Sequence, residues 1–404
     1  MVTDVPLAVR AAAVSDRSDD EVGRLVSVVG VAGRRRWLAV AAGIAVLVAA
    51  PTVVPTAVGA IDALNAAPAP TARALLASAL RSETVPFQGL AQSRGSLGLP
   101  DLPGFGELAS LLGQTTRLRA WWASPTAWRV DTITTTGETG TYGVGDLVVA
   151  WDYERRELAT SLAAVPVRLP RADDLLPPQA TRRLLGSLGP KDEIGGLGAK
   201  RVAGRLAHGV RIRPGDPRST LSRVEVWIDG SGLPLELSAF AADGSAALVS
   251  RFLDLRLTDP DAGVLTPPSP PGVEMNQTSD PGIERLLLRP GEGVLPDTLA
   301  GLPLSTVALG GGATYGRGLV RVTVLPVPHR ASERLFREAR KAGATDLTMP
   351  RGEAILTTTT MLNAALARGQ HREQAYLITG LVTSALLEQA AAALVTDPVA
   401  EGTA

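Results

Sequence analysis

Residues 223–240 read RVEVWIDGSGLPLELSAF. Apolar residues recur at every second position before and after an Asp-Gly-Ser-Gly bend, the period of a half-buried strand. Val224, Val226 and Ile228 share one face, and Leu233, Leu235 and Leu237 match them in type beyond the bend. Trp227 points the other way. Asp229 sits where an aspartate hydrogen-bonds its own turn, so its expected role is to shape the bend. The stretch raises one question: whether Trp227-x-Asp229 performs chemistry or belongs to a sheet that holds something.

Working outward, the strand pattern covers about residues 85–257. VPFQGLAQSRG is a candidate first strand. RLRAWWASPTAWRVDTITTTG alternates on both sides of Ser124-Pro125, with Leu118, Ala120 and Trp122 sharing one face and Trp128 and Val130 another. In GTYGVGDLVVAWDYERRE, Leu147, Val149, Trp151 and Tyr153 alternate against Asp146, Val148, Ala150 and Asp152. A third strand follows Asp243-Gly244, another hairpin signal. Consecutive hairpins imply an antiparallel meander with one buried face. RADDLLPPQATRRLLGSLG is a proline-broken helical segment that caps the sheet, and TARALLASALRS before it is a helix with Thr71 as N-cap.

The chain has 404 residues, 45% of them hydrophobic, enough for two domains with cores of their own. Forty basic residues balance forty acidic ones, so no net field recruits nucleic acid. Cysteine is absent, which excludes thiol chemistry, cysteine zinc sites and disulfides. Arg34–Arg36 precede an uncharged run from Trp37 to Ile61, long enough to span a bilayer core of about 30 Å. Arginines before the run and none until Arg73 place residues 1–36 in the cytoplasm and the rest outside. The other reading is a cleaved signal peptide ending near Val58-Gly59-Ala60. The expected organisation is a cytoplasmic tail (1–36), a transmembrane anchor or signal segment (37–61), a stalk (62–72), a β domain (73–257), a proline-rich linker (258–282) carrying the sequon Asn276-Gln277-Thr278, and a small α+β domain (283–397). The last includes a strand at GLVRVTVLPVP, a helix at ASERLFREARKAG, and a strand running into a helix from Ala375 to Val395.

Motifs for chemistry are missing. His208, His329 and His371 stand apart in polar or turn-like contexts, without metal-ligand spacing. There is no GxSxG elbow and no P-loop. Gly310–Gly318, GGGATYGRG, fails as a dinucleotide fingerprint and reads as a glycine-rich turn before a strand. Asp173-Asp174 and Asp192-Glu193 read as solvated loop carboxylates. The tryptophans carry more information. Trp37 aside, all five (Trp121, Trp122, Trp128, Trp151, Trp227) fall in the strand region. Large apolar side chains on one face of a curved sheet make an apolar concavity or an ordinary sheet core, and both stay open here. The expected concave face comprises Leu118, Trp122, Trp128, Val149, Trp151, Val224, Val226, Leu235 and Leu237.

The order of these pieces resembles the LolA-like lipoprotein-carrier superfamily, in its RseB/MucB type of sigma-E regulators. The resemblance spans about residues 71–257. It rests on the Pro-containing hairpin Ser124-Pro125 with Arg129 following, on Gly145-Asp146 leading to Trp151-Asp152-Tyr153, and on Val226 to Leu235 followed by Asp243-Gly244. It implies an α+β fold: an unclosed antiparallel β half-barrel over helices, whose apolar concave face binds an acyl chain or lipidated ligand. The two-domain layout implies the RseB type, an extracytoplasmic sensor that engages an anti-sigma factor. This chain departs from the pattern in carrying an anchor behind a cytoplasmic tail, which implies a single-pass membrane protein whose main domains are extracytoplasmic. The function expected is a membrane-tethered lipid- or lipoprotein-binding regulator, not an enzyme, without cofactor or metal and without nucleic acid as partner. The alternatives are a ligand-free interaction module of an envelope assembly and an extracytoplasmic hydrolase whose site no motif reveals.

Overall fold

The computed structural model describes residues 70–96, 111–133, 137–163, 168, 170–186, 188–269, 295–307, 311–369 and 374–396. The expected tail, the anchor, the sequon and most of the linker lie outside the described residues, as does His371. Among the described residues no helix is long and apolar enough to cross a membrane.

The chain opens with α1 (Ala72–Arg81), started by the Thr71 hydroxyl, which accepts from the Ala74 N–H at 3.3 Å, and burying Leu75, Leu76 and Ala79. Eleven antiparallel strands follow in one sheet: β1 (Phe87–Gly95), β2 (Thr115–Ser124), β3 (Ala127–Ile133), β4 (Glu138–Val144), β5 (Leu147–Asp152), β6 (Glu157–Leu162), β7 (Glu193–Val202), β8 (Arg205–Arg213), β9 (Leu221–Asp229), β10 (Pro234–Ala241) and β11 (Ala246–Arg256). Their spatial order is β6-β5-β4-β3-β2-β1-β11-β10-β9-β8-β7. Two meanders therefore meet where the first strand pairs with the last, and β6 and β7 form the two ends of an open sheet.

Between β6 and β7 lie a 3-10 turn (Ala172–Leu175) and α2 (Pro177–Leu185), started by a proline at the position where a missing N–H does no harm. Helix α1 packs on β7, β8 and α2, and α2 on β10 and β11, so both lie over one face of the sheet. The apolar residues from these helices and that face form one buried cluster.

The opening stretch folds as expected. Strand β9 pairs with β10 with Val226 opposite Leu237 and Val224 opposite Ala239. Val224, Val226, Ile228, Leu233, Leu235 and Leu237 are all fully buried. At the bend, Asp229 Oδ1 accepts from the N–H of Ser231 (2.9 Å) and of Leu233 (3.1 Å) and from the Ser231 hydroxyl (2.5 Å), and Gly232 takes the left-handed φ of +85° that the turn requires. Asp229 Oδ2 accepts from Arg205 Nε at 2.7 Å.

A second antiparallel sheet has eight strands: β12 (Thr298–Leu299), β13 (Leu302–Val307), β14 (Ala313–Arg317), β15 (Val320–Pro328), β16 (Thr345–Leu347), β17 (Glu353–Thr357), β18 (Asn363–Arg368) and β19 (Gln374–Gly380). They run β12-β13-β14-β15-β19-β18-β17-β16. Helix α3 (His329–Lys341) contributes Phe336 and Ala339 to one apolar cluster, and α4 (Ser384–Thr396) contributes Leu386, Leu387, Ala390 and Ala391 to another. Helix α3 stops at Gly343, with φ +89°.

Two readings are corrected here. Residues 313–317 of GGGATYGRG are strand β14 and not part of a turn, because Tyr315 is fully buried opposite Val322 and its hydroxyl donates to Pro296 O. Asp173 and Asp174 are buried, not solvated, because Arg168, Arg171 and Arg183 of the same segment close over them.

Candidate apolar binding face

The inner face of the half-barrel is ordered by an aromatic ladder. Phe252 on β11 meets Phe87 on β1 edge-on at 5.3 Å between ring centroids. Phe87 stacks on Trp122 of β2 at 6.1 Å, and Trp122 on Trp128 of β3 at 5.7 Å, the latter pair inclined by 12°. Phe87, Trp122 and Trp128 stand directly opposite one another across the strands, so one row of the sheet sets the stack. Each such pair contributes about 0.5–1.5 kcal/mol beyond its area. The polar tips are satisfied at the margin: Trp122 Nε1 donates to Glu83 O at 2.8 Å and Trp128 Nε1 to Pro125 O at 3.1 Å. Beyond Trp128 the row continues into Gly143, whose bareness admits the indole: a Cβ there would overlap Trp128.

Seven of the nine expected residues lie in this one cluster: Leu118, Trp122, Trp128, Val224, Val226, Leu235 and Leu237. Val149 and Trp151 do not. They lie on the opposite face with Tyr142 and Leu158. The reason is register. Strand β5 meets β3 only through β4, where Trp128 faces Gly143 and Gly143 faces Val148. Val148 therefore joins the ladder's face, and its neighbours Val149 and Trp151 turn outward. Alternation within β5 fixed which residues travel together, but not which side they take. Phe87, Phe252, Leu175 and Leu176 also lie in the inner cluster and were not expected as site residues; their apolar character inside strand or helix patterns was their only sign. Trp227 lies on the outer side, as read, with Lys200 Nζ 4.2 Å from its ring.

Outside, Arg129 organises a polar patch. Its Nε and Nη2 donate to the two oxygens of Asp131, each at 2.7 Å, and Nη2 also to the Tyr153 hydroxyl at 3.1 Å. The guanidinium lies over Trp121 (4.9 Å) and Tyr142 (5.1 Å). Asp131 is wholly buried, and that burial raises its pKa to about 6; Arg129 pulls it down and Glu138 pushes it up. Burial and the Tyr153 hydroxyl raise Tyr142 well above its ordinary value.

A second ionic knot fixes α2. The Asp174 carboxylate accepts from Arg168 (2.6 and 2.9 Å), from Arg183 Nη1 (3.0 Å) and from the Arg171 N–H (2.8 Å). Those donors hold its pKa below the ordinary value although burial opposes them, while burial raises that of Asp173. Ser250, inside the sheet, donates to Leu175 O and ties the start of α2 to β11. Among the described residues no cluster of three or more His, Asp or Glu is arranged to hold a metal ion.

No family model matches this chain, and no curated protein matches it. Among solved structures it is similar to MucB of Pseudomonas aeruginosa in complex with MucA, at 16% identity over 79% of this chain and 96% of that one, with a TM-score of 0.42. A crystal structure of MucB shows 18% identity over the same shares, with a TM-score of 0.40. A LolA superfamily protein from Nitrosomonas europaea shows 12% identity over 49% of this chain and 99% of that one, with a TM-score of 0.23. The architecture itself is an open antiparallel sheet over α1 and α2, followed by a second β-rich module.

Proposed function

We propose that this chain is a binding protein that takes up an acyl chain or lipidated ligand on the inner face of its half-barrel and signals that state to a protein partner in the cell envelope. The observation that carries the reading is the Phe252-Phe87-Trp122-Trp128 ladder: four aromatic rings set in sequence along the inner face, with their polar tips satisfied at its margin. Such a row offers continuous apolar contact to a long, unbranched ligand. The motif order over residues 71–257 supports the RseB/LolA type of role, with the extracytoplasmic part of an anti-sigma factor as the partner class. The run Trp37–Ile61 supports tethering in the membrane with the N-terminus in the cytoplasm. The reading assigns no catalytic step to any residue.

The test is organic-solvent extraction of the full chain, purified from membranes, followed by mass spectrometry. An acyl species near one per chain is the expected result. Its absence, together with one protein partner whose crosslinking is indifferent to delipidation, would overturn the ligand reading. That outcome would favour a ligand-free interaction module, which one observation already supports: Val224, Val226, Leu235 and Leu237 are fully covered by the protein's own side chains.

A further inference from the structure

The interior of the half-barrel is not closed by its own residues alone. Leu319, in the turn between β14 and β15, and Met361, between β17 and β18, belong to the second module, yet both are buried in the same cluster as Val226 and Leu237. Leu362 and Leu381 of that module pack against the cluster too. The β8–β9 connection runs along these insertions and grips their backbones. Thr220 Oγ1 donates to Met361 O at 2.5 Å, Ser219 Oγ to Leu319 O at 3.5 Å, and the Thr220 N–H to Leu381 O at 3.1 Å. The Thr383 N–H returns a bond to Arg218 O at 2.8 Å, which makes Ser219 and Val382 an isolated antiparallel pair. Thus Met361, Leu319 and Leu381, whose side chains enter or pack on the core, are also those whose carbonyls the strap holds.

With these residues in place the inner face has no exposed apolar surface at Val224, Val226, Leu235 or Leu237, so a ligand enters only if something leaves. Moving α1 or α2 would break the half-barrel's own core and, for α2, the Asp174 knot. Withdrawing the inserted loops leaves intact the second module's clusters around α3 and α4, which lie elsewhere. We propose that the second module is a stopper: Leu319, Met361 and Leu381 fill interior space that an acyl ligand takes, so ligand uptake and docking of the module exclude each other. This rests on the apolar-ligand reading above. By reciprocity, whatever holds the module in place weakens the ligand, and the ligand loosens the module. Occupancy inside the half-barrel then becomes a change in the position of the second module, which a protein partner can read.

The chain has no cysteine, so an engineered pair is unambiguous. Ser219 and Val382 form a pair flanked by hydrogen bonds on both sides, a type whose Cα atoms are about 4.5 Å apart and within disulfide reach. The full chain carrying Ser219→Cys and Val382→Cys is titrated with cis-parinaric acid, oxidised and reduced, beside the wild type and Met361→Ser. The oxidised form is expected to bind about tenfold more weakly than the reduced form, and Met361→Ser more tightly than wild type. In the wild type, hydrogen exchange at the Thr220 and Thr383 amides is expected to quicken as the probe saturates. Equal binding by oxidised and reduced forms, or bound probe with unchanged exchange, overturns the stopper and leaves the ligand reading standing. Failure of the reduced pair and of Met361→Ser to take up probe at all overturns both.

Discussion

Trp128 stands directly across the β3–β4 ladder from Gly143, and its indole fills the space that a side chain at 143 would need. The glycine is therefore part of the aromatic ladder. Gly143→Ala is expected to lower stability by about 1–3 kcal/mol through overpacking, read as a shift in the urea midpoint at constant slope. A midpoint equal to wild type would show that the indole has another place to go.

On the proposed binding role, the same ladder sets which tryptophans a bound acyl chain would touch. Bromine-labelled stearate quenches tryptophan emission by contact. Replacing Trp122 and Trp128 by Phe is expected to remove most of the quenching, whereas Trp151→Phe leaves it, because Trp151 lies on the outer face. Loss of quenching in the Trp151 variant alone would reverse the assignment of faces.

Asp229 holds its bend by three accepted hydrogen bonds and an ion pair to Arg205. Asp229→Ala leaves the buried Leu233 N–H without its acceptor, and a loss of about 2–3 kcal/mol is expected from chemical denaturation. Asp229→Asn keeps an acceptor oxygen in the bend, so a smaller loss is expected. Equal losses would assign the whole effect to the ion pair.

Asp131 gives a pH signature. Its folded pKa of about 6 lies above the ordinary 3.8, so the fold favours the protonated carboxyl. That contribution is fully present below about pH 4 and is lost as the pH rises through about 6. Asp131→Asn removes the titration. The stability of the variant relative to wild type is expected to rise between pH 4 and pH 7, by at most about 2 kcal/mol, measured by urea unfolding across that window. A difference independent of pH would show that Asp131 titrates normally.

What the sequence revealed follows from how locally each feature is determined. The 223–240 hairpin was legible because period-two apolarity and a turn-forming Asp-Gly-Ser-Gly agree within eighteen residues. Helices α3 and α4 were legible for the same reason, their faces and stops being set by near neighbours. Strand β7 was not: EIGGLGAKRV has three glycines, lies largely exposed at the sheet's end and shows no alternation to read. The face taken by Val149 and Trp151 depends on pairing through β4, information that no single strand contains. The burial of Asp173 and Asp174 depends on Arg168, Arg171 and Arg183 converging from both sides of a proline-broken segment. The inner ladder was half legible, as a concentration of tryptophan. Its Phe87 and Phe252 members come from the strands at the join of the two meanders.

That join is also a seam in time. Gln88 pairs with Arg256, 168 positions later, whereas most other neighbours in the sheet are joined by hairpins. Each wing, β2–β6 and β7–β10, can assemble from local contacts, but the closing pair must wait for the far end of the module and bear the entropy of a very long loop. A chain synthesised only as far as β10 would hold two half-sheets, one of them ending in β1 with its outer edge unpaired, and Phe87 would lack Phe252. Completion of the inner face is therefore expected as the last event in the folding of this module, so that the aromatic ladder and the folded state are attained together.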